Sequence, residues 1–347
     1  MKAYAIYRLP RENRFTLVEQ TTGEPLELLS LAELNGRKGF VLAPFAVSEE
    51  EPLLLIRGDR VESHLIETID ITSPSTATEI KETDNSRDDY HIDFLNYHAH
   101  LLSGDYRKIV LARSVTITTS SVRSGMDLFL DACRRYPRMF ICLVSTPKSG
   151  TWLTATPEVL LSKTNGLWQT MALAGTMKLE GDDLNGEGEH VLWSTKNIQE
   201  QRYVVTYLTE CLEQFTGDFN ECGPYTARAG HLVHLRSDFS FSLPDEQHLG
   251  DLLMTLHPTP AVCGLPKPQT FDFIRKNEHS PRSYYSGFMG PLLLPETHLY
   301  VSLRCMQLLS TGYRLYAGGG LLPDSVEEQE WQETEAKLET MRNLLYI

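Results

Sequence analysis

The sequence predicts a protein of the α+β class that forms one large domain. Short apolar segments with strand-like alternation come in blocks, and segments with helical periodicity interrupt these blocks without alternating strictly with single strands. Hydrophobic residues make up 41% of the chain and charged residues 22%, which is typical of a folded globular protein. The 347 residues could hold two domains by length, but no hinge is clearly marked, so we predict a single domain over residues 1–347.

The N-terminal part, residues 1–90, is predicted to be rich in strands. Its short alternating segments AYAIY, FTLVE, FVLAPF and LLLIRG are divided by turns that contain Pro, Gly and Asn. Residues 72–90 are polar and poor in large apolar side chains, which indicates an exposed connection and the best candidate for a subdomain boundary. No motif in this part indicates a site, so we expect it to complete the sheet.

Helical periodicity recurs through the rest of the chain. A helix-like apolar stripe formed by Ile92, Leu95, Leu101 and Leu102 ends at Ser103-Gly104. The same reasoning predicts a short helix around 128–133 and further helices over about 195–215, 247–256, 268–278 and 327–345.

Strand patterns lie between these helices. We predict strands at KIVLARSVTI, MFICLVS, HLYVSLRCMQLL and YRLYAG. The segments EVLLSK and LWQTMAL flank Asn165-Gly166, and this dipeptide predicts a hairpin because it tolerates the positive φ of tight hairpin turns.

The acidic balance of the chain excludes some classes of partner. Its formal charge is −14, whereas nucleic-acid binding depends on clustered Lys and Arg, so we expect no nucleic-acid partner. No segment reaches the roughly 18 apolar residues of a membrane span, and the N-terminus lacks the apolar run of a signal peptide, so we expect no membrane contact and a cytoplasmic location. An anionic substrate would need local positive charge in its site.

The cysteines show neither paired spacing nor the spacing of metal ligands. We therefore expect reduced thiols in or near the core at all six positions, Cys133, Cys142, Cys211, Cys222, Cys263 and Cys305.

The C-terminal segment combines acids, a lysine and glycines. Glu330, Glu333 and Lys337 are spaced so that a helix projects them from one side, close to a predicted turn at Gly318–Gly320. One interpretation is an exposed pair of Glu333 with Lys337; the other is a site for a metal and an anion, since the row aligns with the apolar side of the last helix.

Three upstream charged residues allow similar pairs of interpretations. Lys108 opens a predicted strand, where it is either an edge lysine or a base beside small apolar neighbours. Glu158 lies in a predicted strand, either solvated or buried as a general acid. Glu200 precedes the apolar face of a predicted helix by one turn, as a first-turn acid or a group directed toward the core.

Arg304 interrupts an otherwise apolar predicted strand. A guanidinium in such a place usually has a bidentate carboxylate partner, which could belong to the protein or to a ligand. The histidines His231 and His234 are expected on opposite strand faces, which argues against a shared metal.

Seven motifs between residues 95 and 347 resemble signatures of the chorismate-utilising enzymes in order and spacing. They are KIVLAR, TPEVLL, ALAGT, LHPTPAVCG, SLRC, YAGGG and EWQETEAK. Within that family, LHPTPAV is more similar to isochorismate synthases than to anthranilate or salicylate synthases. The resemblance implies one α+β domain with a large two-layer β core, antiparallel-rich, and helices outside, in which residues 91–347 form the chorismate-binding catalytic part.

The resemblance also implies roles for individual residues. Lys108 matches the base that activates water, Glu158 the acid that protonates the departing C4 hydroxyl, and His257 a further active-site residue. The implied Mg²⁺ ligands are Glu200 and Glu333, with Glu330 close by. The implied substrate-binding groups are Gly175, Thr176, Arg304, Gly318 and Lys337.

These residue types suit the implied conversion of chorismate to isochorismate. Mg²⁺, Arg304 and Lys337 would supply positive charge to a dianionic substrate, and we expect desolvation to favour neutral Lys108 and protonated Glu158. Ala174 stands where aminodeoxychorismate synthases carry a lysine, which disfavours that branch.

The alternatives are a salicylate synthase, an ammonia-using anthranilate synthase component with a glutaminase partner, and a non-catalytic chorismate-binding protein. We expect a monomer without an obligate glutaminase subunit.

Overall fold

The computed structural model describes residues 3–66, 80–83, 86–179, 191–229 and 232–345. The strands found in these ranges are β1 (Ala3–Arg8), β2 (Arg14–Gln20), β3 (Leu26–Leu28), β4 (Gly39–Ala43), β5 (Leu53–Ile56), β6 (Arg60–Leu65), β7 (Ile80–Thr83), β8 (Lys108–Thr119), β9 (Phe140–Thr146), β10 (Gly150–Thr156), β11 (Val159–Thr164), β12 (Leu167–Lys178), β13 (Phe219–Ala229), β14 (Leu232–Phe241), β15 (Gly264–Leu265), β16 (Phe288–Leu292), β17 (His298–Val301), β18 (Cys305–Leu309) and β19 (Gly312–Leu321). The α-helices are α1 (Ser86–Leu102), α2 (Gly125–Arg135), α3 (Thr195–Leu212), α4 (Leu249–Leu256), α5 (Lys267–Asn277) and α6 (Glu327–Arg342).

The strands form two antiparallel sheets. The first has ten strands in the order β15-β8-β19-β18-β10-β9-β1-β2-β6, with β7 also paired to β8. The second has nine strands in the order β13-β14-β12-β11-β17-β16-β4-β5-β3. Strands from residues 1–90 lie in both sheets, and they form one end of each: β1, β2 and β6 in the first sheet and β4, β5 and β3 in the second.

The two sheets pack face to face over an apolar core. Phe140 of the first sheet stacks on Tyr300 of the second with ring centroids 4.2 Å apart. On the outer faces, α2 and α6 pack against the first sheet and α3 and α4 against the second, as their shared buried clusters show. The predicted α+β class and two-layer β core are confirmed, and burial of both sheet faces explains the apolar strands.

Most predicted elements are present. The helices expected at 195–215, 247–256, 268–278 and 327–345 correspond to α3, α4, α5 and α6, and the short helix is α2. The Asn165-Gly166 turn joins β11 to β12 with φ of 52° and 83°, as the hairpin prediction required. All six cysteines are unpaired with one another; five are buried, as expected, and Cys222 is exposed.

The predicted stripe on α1 is right at Leu101 and wrong at its other three positions. Ile92, Leu95 and Leu102 are exposed, and Tyr90, Phe94 and Tyr97 share the buried side with Leu101. Aromatic rings at helical spacing bury more apolar surface than the three aliphatic residues, so they face the core. Part of the predicted 72–90 connection is ordered as β7 and the start of α1, and residues 72–79 and 84–85 lie outside the described residues.

Two predicted strands are interrupted, one at Arg304 and the other at Glu158. The segment HLYVSLRCMQLL is not one strand: β17 belongs to the second sheet and β18 to the first, and Arg304 lies between them. Glu158 likewise lies between β10 of the first sheet and β11 of the second. Periodicity cannot reveal this, because an apolar run reads the same whether it stays in one sheet or crosses to another.

The predicted turn at Gly318–Gly320 is also wrong. These glycines lie within β19, paired with Ala112, Leu111 and Val110 of β8. Their small size serves close packing: a Cβ on Gly318 would come within 2.8 Å of the Tyr285 hydroxyl.

Candidate active site

A cavity lies where the chain crosses between the two sheets. Both crossover residues, Glu158 and Arg304, line it. Many of the other lining groups come from β12, α3, β14, β19 and α6. They include Ala174, Gly175, Thr176, Glu200, His234, Gly318, Gly320 and Lys337. The fold therefore gathers most of the predicted site residues from distant parts of the sequence.

Glu158 is a buried acid. Its side chain is 2% exposed, and burial raises its pKa to about 8, although the positive charges of Lys108, Arg304 and Lys337 oppose the shift. A carboxyl group with such a pKa is largely protonated near neutral pH and can donate a proton. The exposed alternative for Glu158 is excluded by its position.

Arg304 presents an unsatisfied donor inside the protein. Its backbone has φ +45°, in the left-handed region, and its side chain is 4% exposed. Nη2 donates to His234 Nε2 at 2.8 Å, while Nη1 is buried without a hydrogen-bond partner. The carboxylate partner expected from the sequence is not found among the described protein residues, and a buried unpaired donor of this kind is suited to an anionic ligand.

His234 was missed by the sequence reasoning, which weighed it only as a metal ligand with His231, a residue outside the described ranges. Burial, followed by the charges of Arg304 and Lys337, lowers the pKa of His234 well below its usual value. Since a guanidinium can only donate, His234 Nε2 must accept, and Nδ1 carries the proton toward the Gly175 carbonyl 3.2 Å away. The ring is thus a neutral support for Arg304.

Lys108 and Glu200 meet beneath the glycines of β19. Lys108 is fully buried, and its Nζ lies 2.9 Å from Glu200 Oε1. Burial raises the pKa of Glu200, but Lys108 and Lys196 outweigh it and hold that pKa below the usual value. A Cβ on Gly320 would overlap Glu200 Oε1 and lie 2.8 Å from Lys108 Cε, so only glycine leaves room for this ion pair.

Gly175 forms a bulge in β12 that faces the same carboxylate. Its φ is +70°, and its N–H donates to Glu200 Oε2 at 3.2 Å. The next residue, Thr176, places Oγ1 3.3 Å from His234 Nδ1. The irregular register between Ala174 and Thr176 turns both backbone and side chain toward the cavity.

Helix α6 brings its acid and lysine row against β19. Lys337 Nζ donates to the Gly318 carbonyl at 2.8 Å and to Glu333 Oε1 at 2.6 Å. Glu330 is 1% exposed, and its Oε2 has no hydrogen-bond partner. The predicted alignment of this row with the buried side is therefore correct, and the interpretation as an exposed pair is not.

Lys196 is a second residue that the sequence reasoning missed. It lies in the first turn of α3, and its Nζ donates to Glu330 Oε1. Burial lowers the pKa of Lys196, but Glu330, Glu333 and Glu200 together raise it above the usual value. Burial and Glu333 raise the pKa of Glu330, and Lys196 opposes that shift. A lysine four residues before an acid at the start of a helix was the available signal.

His257 lies apart from this cavity. It caps the end of α4, its Nε2 lies 3.3 Å from the Phe45 carbonyl, and its ring packs against Phe288. Burial, followed by the charge of Lys267, lowers its pKa to about 3, so the ring is neutral. Its position does not support the predicted catalytic role.

The donor set suits a hard divalent cation. Glu200, Glu330 and Glu333 offer carboxylate oxygens, which Mg²⁺ prefers, and one oxygen of Glu330 is buried without a partner. Each of the three carboxylates now contacts a lysine. Among the described residues no group of three or more His, Cys, Asp or Glu side chains is arranged to hold a metal. The residues fit Mg²⁺ in chemistry, with their carboxylates engaged by lysines.

These features define the class of the protein: a two-sheet α+β fold with a cavity at the crossover between the sheets, lined by the acids Glu158 and Glu200 and the cations Arg304 and Lys337. The sequence model of the family "Chorismate binding enzyme" matches residues 43–346. The chain belongs to this family.

Two relatives and one solved structure illustrate the similarity. Isochorismate synthase MenF of Escherichia coli K12 is 30% identical over 252 residues, which cover 71% of this chain and 58% of the relative. The salicylate biosynthesis isochorismate synthase of Pseudomonas aeruginosa is 32% identical over 256 residues, covering 70% of this chain and 51% of the relative. The matches thus span little more than half the length of either relative.

The solved structure of the menaquinone-specific isochorismate synthase MenF from Escherichia coli superimposes with a TM-score of 0.80 at 23% identity, covering 99% of this chain and 88% of that one. This likeness establishes the fold. No helix in the described ranges is long and apolar enough to cross a membrane.

Proposed function

We propose that the protein is an Mg²⁺-dependent isochorismate synthase, which converts chorismate to isochorismate. One observation carries the proposal: a buried carboxyl group with a pKa of about 8, Glu158, lies in one cavity with Arg304, whose Nη1 lacks a partner. The first group can donate a proton to a leaving hydroxyl, and the second can bind a substrate carboxylate. The two named relatives carry the same activity in their names.

The reaction needs a base and an acid. Lys108 takes a proton from the attacking water as its oxygen bonds to C2, and Glu158 gives a proton to the C4 hydroxyl as the C4–O bond breaks. Water is consumed and released, so the product is an isomer of the substrate. Burial supports the role of Glu158, since desolvation favours the protonated form that the mechanism needs. Lys108 is buried beside Glu200, with its Nζ 2.9 Å from Glu200 Oε1.

The substrate carboxylates require cations in a chain that is acidic overall. Arg304 and Lys337 supply them from two elements, and the backbone at Gly175 and Gly318 with the Thr176 hydroxyl forms the adjoining wall. Nη1 of Arg304 is free to donate to a carboxylate, while its Nη2 is held by His234.

Glu200 and Glu333 would hold Mg²⁺, with Glu330 beside them; when bound, the ion supplies positive charge at a substrate carboxylate. Ala174, a cavity residue, offers no amine in place of water as a nucleophile. In this proposal His257 has only a structural role, at the C-terminal end of α4.

The decisive experiment incubates purified protein with chorismate and Mg²⁺ and follows the products by ¹H NMR. Isochorismate without pyruvate is the expected result. Salicylate with pyruvate would indicate a salicylate synthase, turnover only with ammonia would indicate an anthranilate synthase component, and binding without turnover would indicate a non-catalytic chorismate-binding protein. Each of these three results contradicts the proposal.

A further inference from the structure

The mechanism above leaves Lys196 without a role, although it is a largely buried cation that pairs with an acid of the site. It lies on α3 one turn before Glu200, and its ammonium group contacts Glu330 on α6. The Lys196 side chain is 21% exposed and that of Glu330 only 2%. The contact therefore joins two helices across the metal-binding region.

Glu330 depends on this contact. One of its oxygens has no hydrogen-bond partner, and the other is held by Lys196. A buried carboxylate without a counter-ion is strongly unfavourable, so removal of Lys196 would leave the charge of Glu330 supported only by the Ser325 hydroxyl.

Each carboxylate of the region has a lysine partner. Glu200 contacts Lys108, Glu330 contacts Lys196 and Glu333 contacts Lys337. A divalent cation that enters alone must compete with these lysines for their carboxylates and is repelled by those that are charged. A dianion that enters with the metal ion brings two negative charges that offset this repulsion.

The three lysines that contact these carboxylates differ in their proposed roles. Lys108 is the proposed base and Lys337 is proposed to bind a substrate carboxylate. Lys196 instead lines a groove outside the cavity, beside Glu330 and Glu333. It also attracts all three carboxylates electrostatically. It is thus the lysine whose charge acts on the metal ligands without a direct part in binding the substrate.

We propose that Lys196 is a built-in counter-cation for Glu330 that weakens Mg²⁺ binding to the protein alone and makes tight binding depend on the dianionic substrate. This inference rests on the proposed function, since it presumes that Glu200 and Glu333 hold Mg²⁺. Lys196 acts here as a positioning residue, because it contacts Glu330 directly and is not proposed to touch the substrate or the metal ion.

The test is titration calorimetry with MgCl₂ on the full chain, without and with chorismate. The Glu158→Gln background prevents turnover during the measurement. Lys196→Met should lower the Kd for Mg²⁺ without chorismate by about tenfold, because a like charge has been removed near the ion. It should also reduce the gain in Mg²⁺ affinity that chorismate produces. Lys196→Arg should keep both values of the parent.

Lys178→Met is the matched control, since it removes the same charge from an exposed side chain on the same groove. Its Kd should stay within about threefold of the parent, as expected for a solvent-screened charge. Thermal unfolding gives a second readout: Lys196→Met should unfold at a lower temperature without Mg²⁺ and gain more from Mg²⁺ than the parent. Lys196→Gln, which keeps a polar end group, serves if the Met variant does not fold.

An unchanged or weaker affinity in both Lys196→Met and Lys196→Gln overturns the inference, provided that Glu333→Gln abolishes Mg²⁺ binding. In that case the proposed function stands. Failure of the wild-type protein to form isochorismate from chorismate would instead reject the proposed function, and the two failures are therefore distinguishable.

Discussion

Glu158 and Arg304 lie on the two neighbouring segments where the chain crosses between the sheets, and backbone hydrogen bonds join these segments. The Val301 N–H donates to the Glu158 carbonyl at 3.0 Å, and the Ala155 N–H donates to the Arg304 carbonyl at 3.0 Å. The buried acid and the buried guanidinium are therefore fixed by sheet architecture, with both side chains in one cavity. Both residues lie in short connections, and these hydrogen bonds to the strand residues Val301 and Ala155 hold the connections in place.

The Glu158→Gln variant should lose isochorismate formation by about 10³-fold or more in kcat, because the amide cannot donate the acid proton. In the wild type, kcat should fall as pH rises through about 8, the pKa of Glu158. Steady-state rates between pH 6 and 9 measure both effects. A nearly normal rate in the variant, or a flat wild-type profile across pH 8, would remove Glu158 from its role.

Folding holds Glu158 protonated, so its contribution to stability is complete below pH 4.5, its ordinary pKa, and is lost as pH rises through about 8. The amide of Glu158→Gln does not titrate, so the variant does not lose this stability as pH rises. The free energy of unfolding of the variant minus that of wild type should therefore increase by roughly 3 kcal/mol from pH 5 to pH 8. Urea denaturation at the two pH values measures it, and an equal difference at both would show that Glu158 titrates normally.

Gly320→Ala should disrupt the Lys108–Glu200 pair, because the new methyl group would overlap Glu200 Oε1. We expect kcat/KM to fall by about 10²-fold or more, since the base and a metal ligand both shift. Gly319→Ala is the matched control: its Cβ would meet nothing closer than 3.6 Å, from Glu330 and Glu333. Equal activity in the two variants would contradict the assigned packing.

Lys108→Ala should abolish conversion and leave the fold intact, since no other described group is assigned to activate the water. Circular dichroism and chorismate binding by calorimetry check that the fold and the cavity persist. Lys163→Ala, at a partly exposed lysine paired with Glu246 on the surface, is the control for loss of one lysine. A substantial residual rate in Lys108→Ala would assign the base to another residue.

His234→Phe should raise KM for chorismate by about tenfold with a smaller change in kcat, because Arg304 Nη2 loses its acceptor. His234→Gln places an amide oxygen where Nε2 accepts, so its KM should stay closer to wild type. Since burial lowers the His234 pKa well below its usual value, the pH profile from 5 to 7 should be the same for His234→Gln and wild type. A new pH dependence there, or equal KM values in both variants, would contradict a positioning role.

The sequence by itself determined the class of fold, most helices and the identity of the charged groups that line the cavity. Helical periodicity located α3 and α6, and an Asn-Gly pair located the β11–β12 hairpin, because these signals are local. The motifs that resemble those of chorismate-utilising enzymes include Glu158 and Lys337, because residue type and spacing can be read directly from the sequence.

The tertiary structure alone decided how those groups meet. Local pattern could not show that Glu158 and Arg304 leave their strands to cross between sheets, because both sheets are buried and read alike. Nor could it show the supports: His234 reaches Arg304 from 70 residues away, and Lys196 reaches Glu330 from 134. Contacts between residues so far apart in the sequence form only when whole sheets and helices pack together. No single segment of the sequence therefore predicts them.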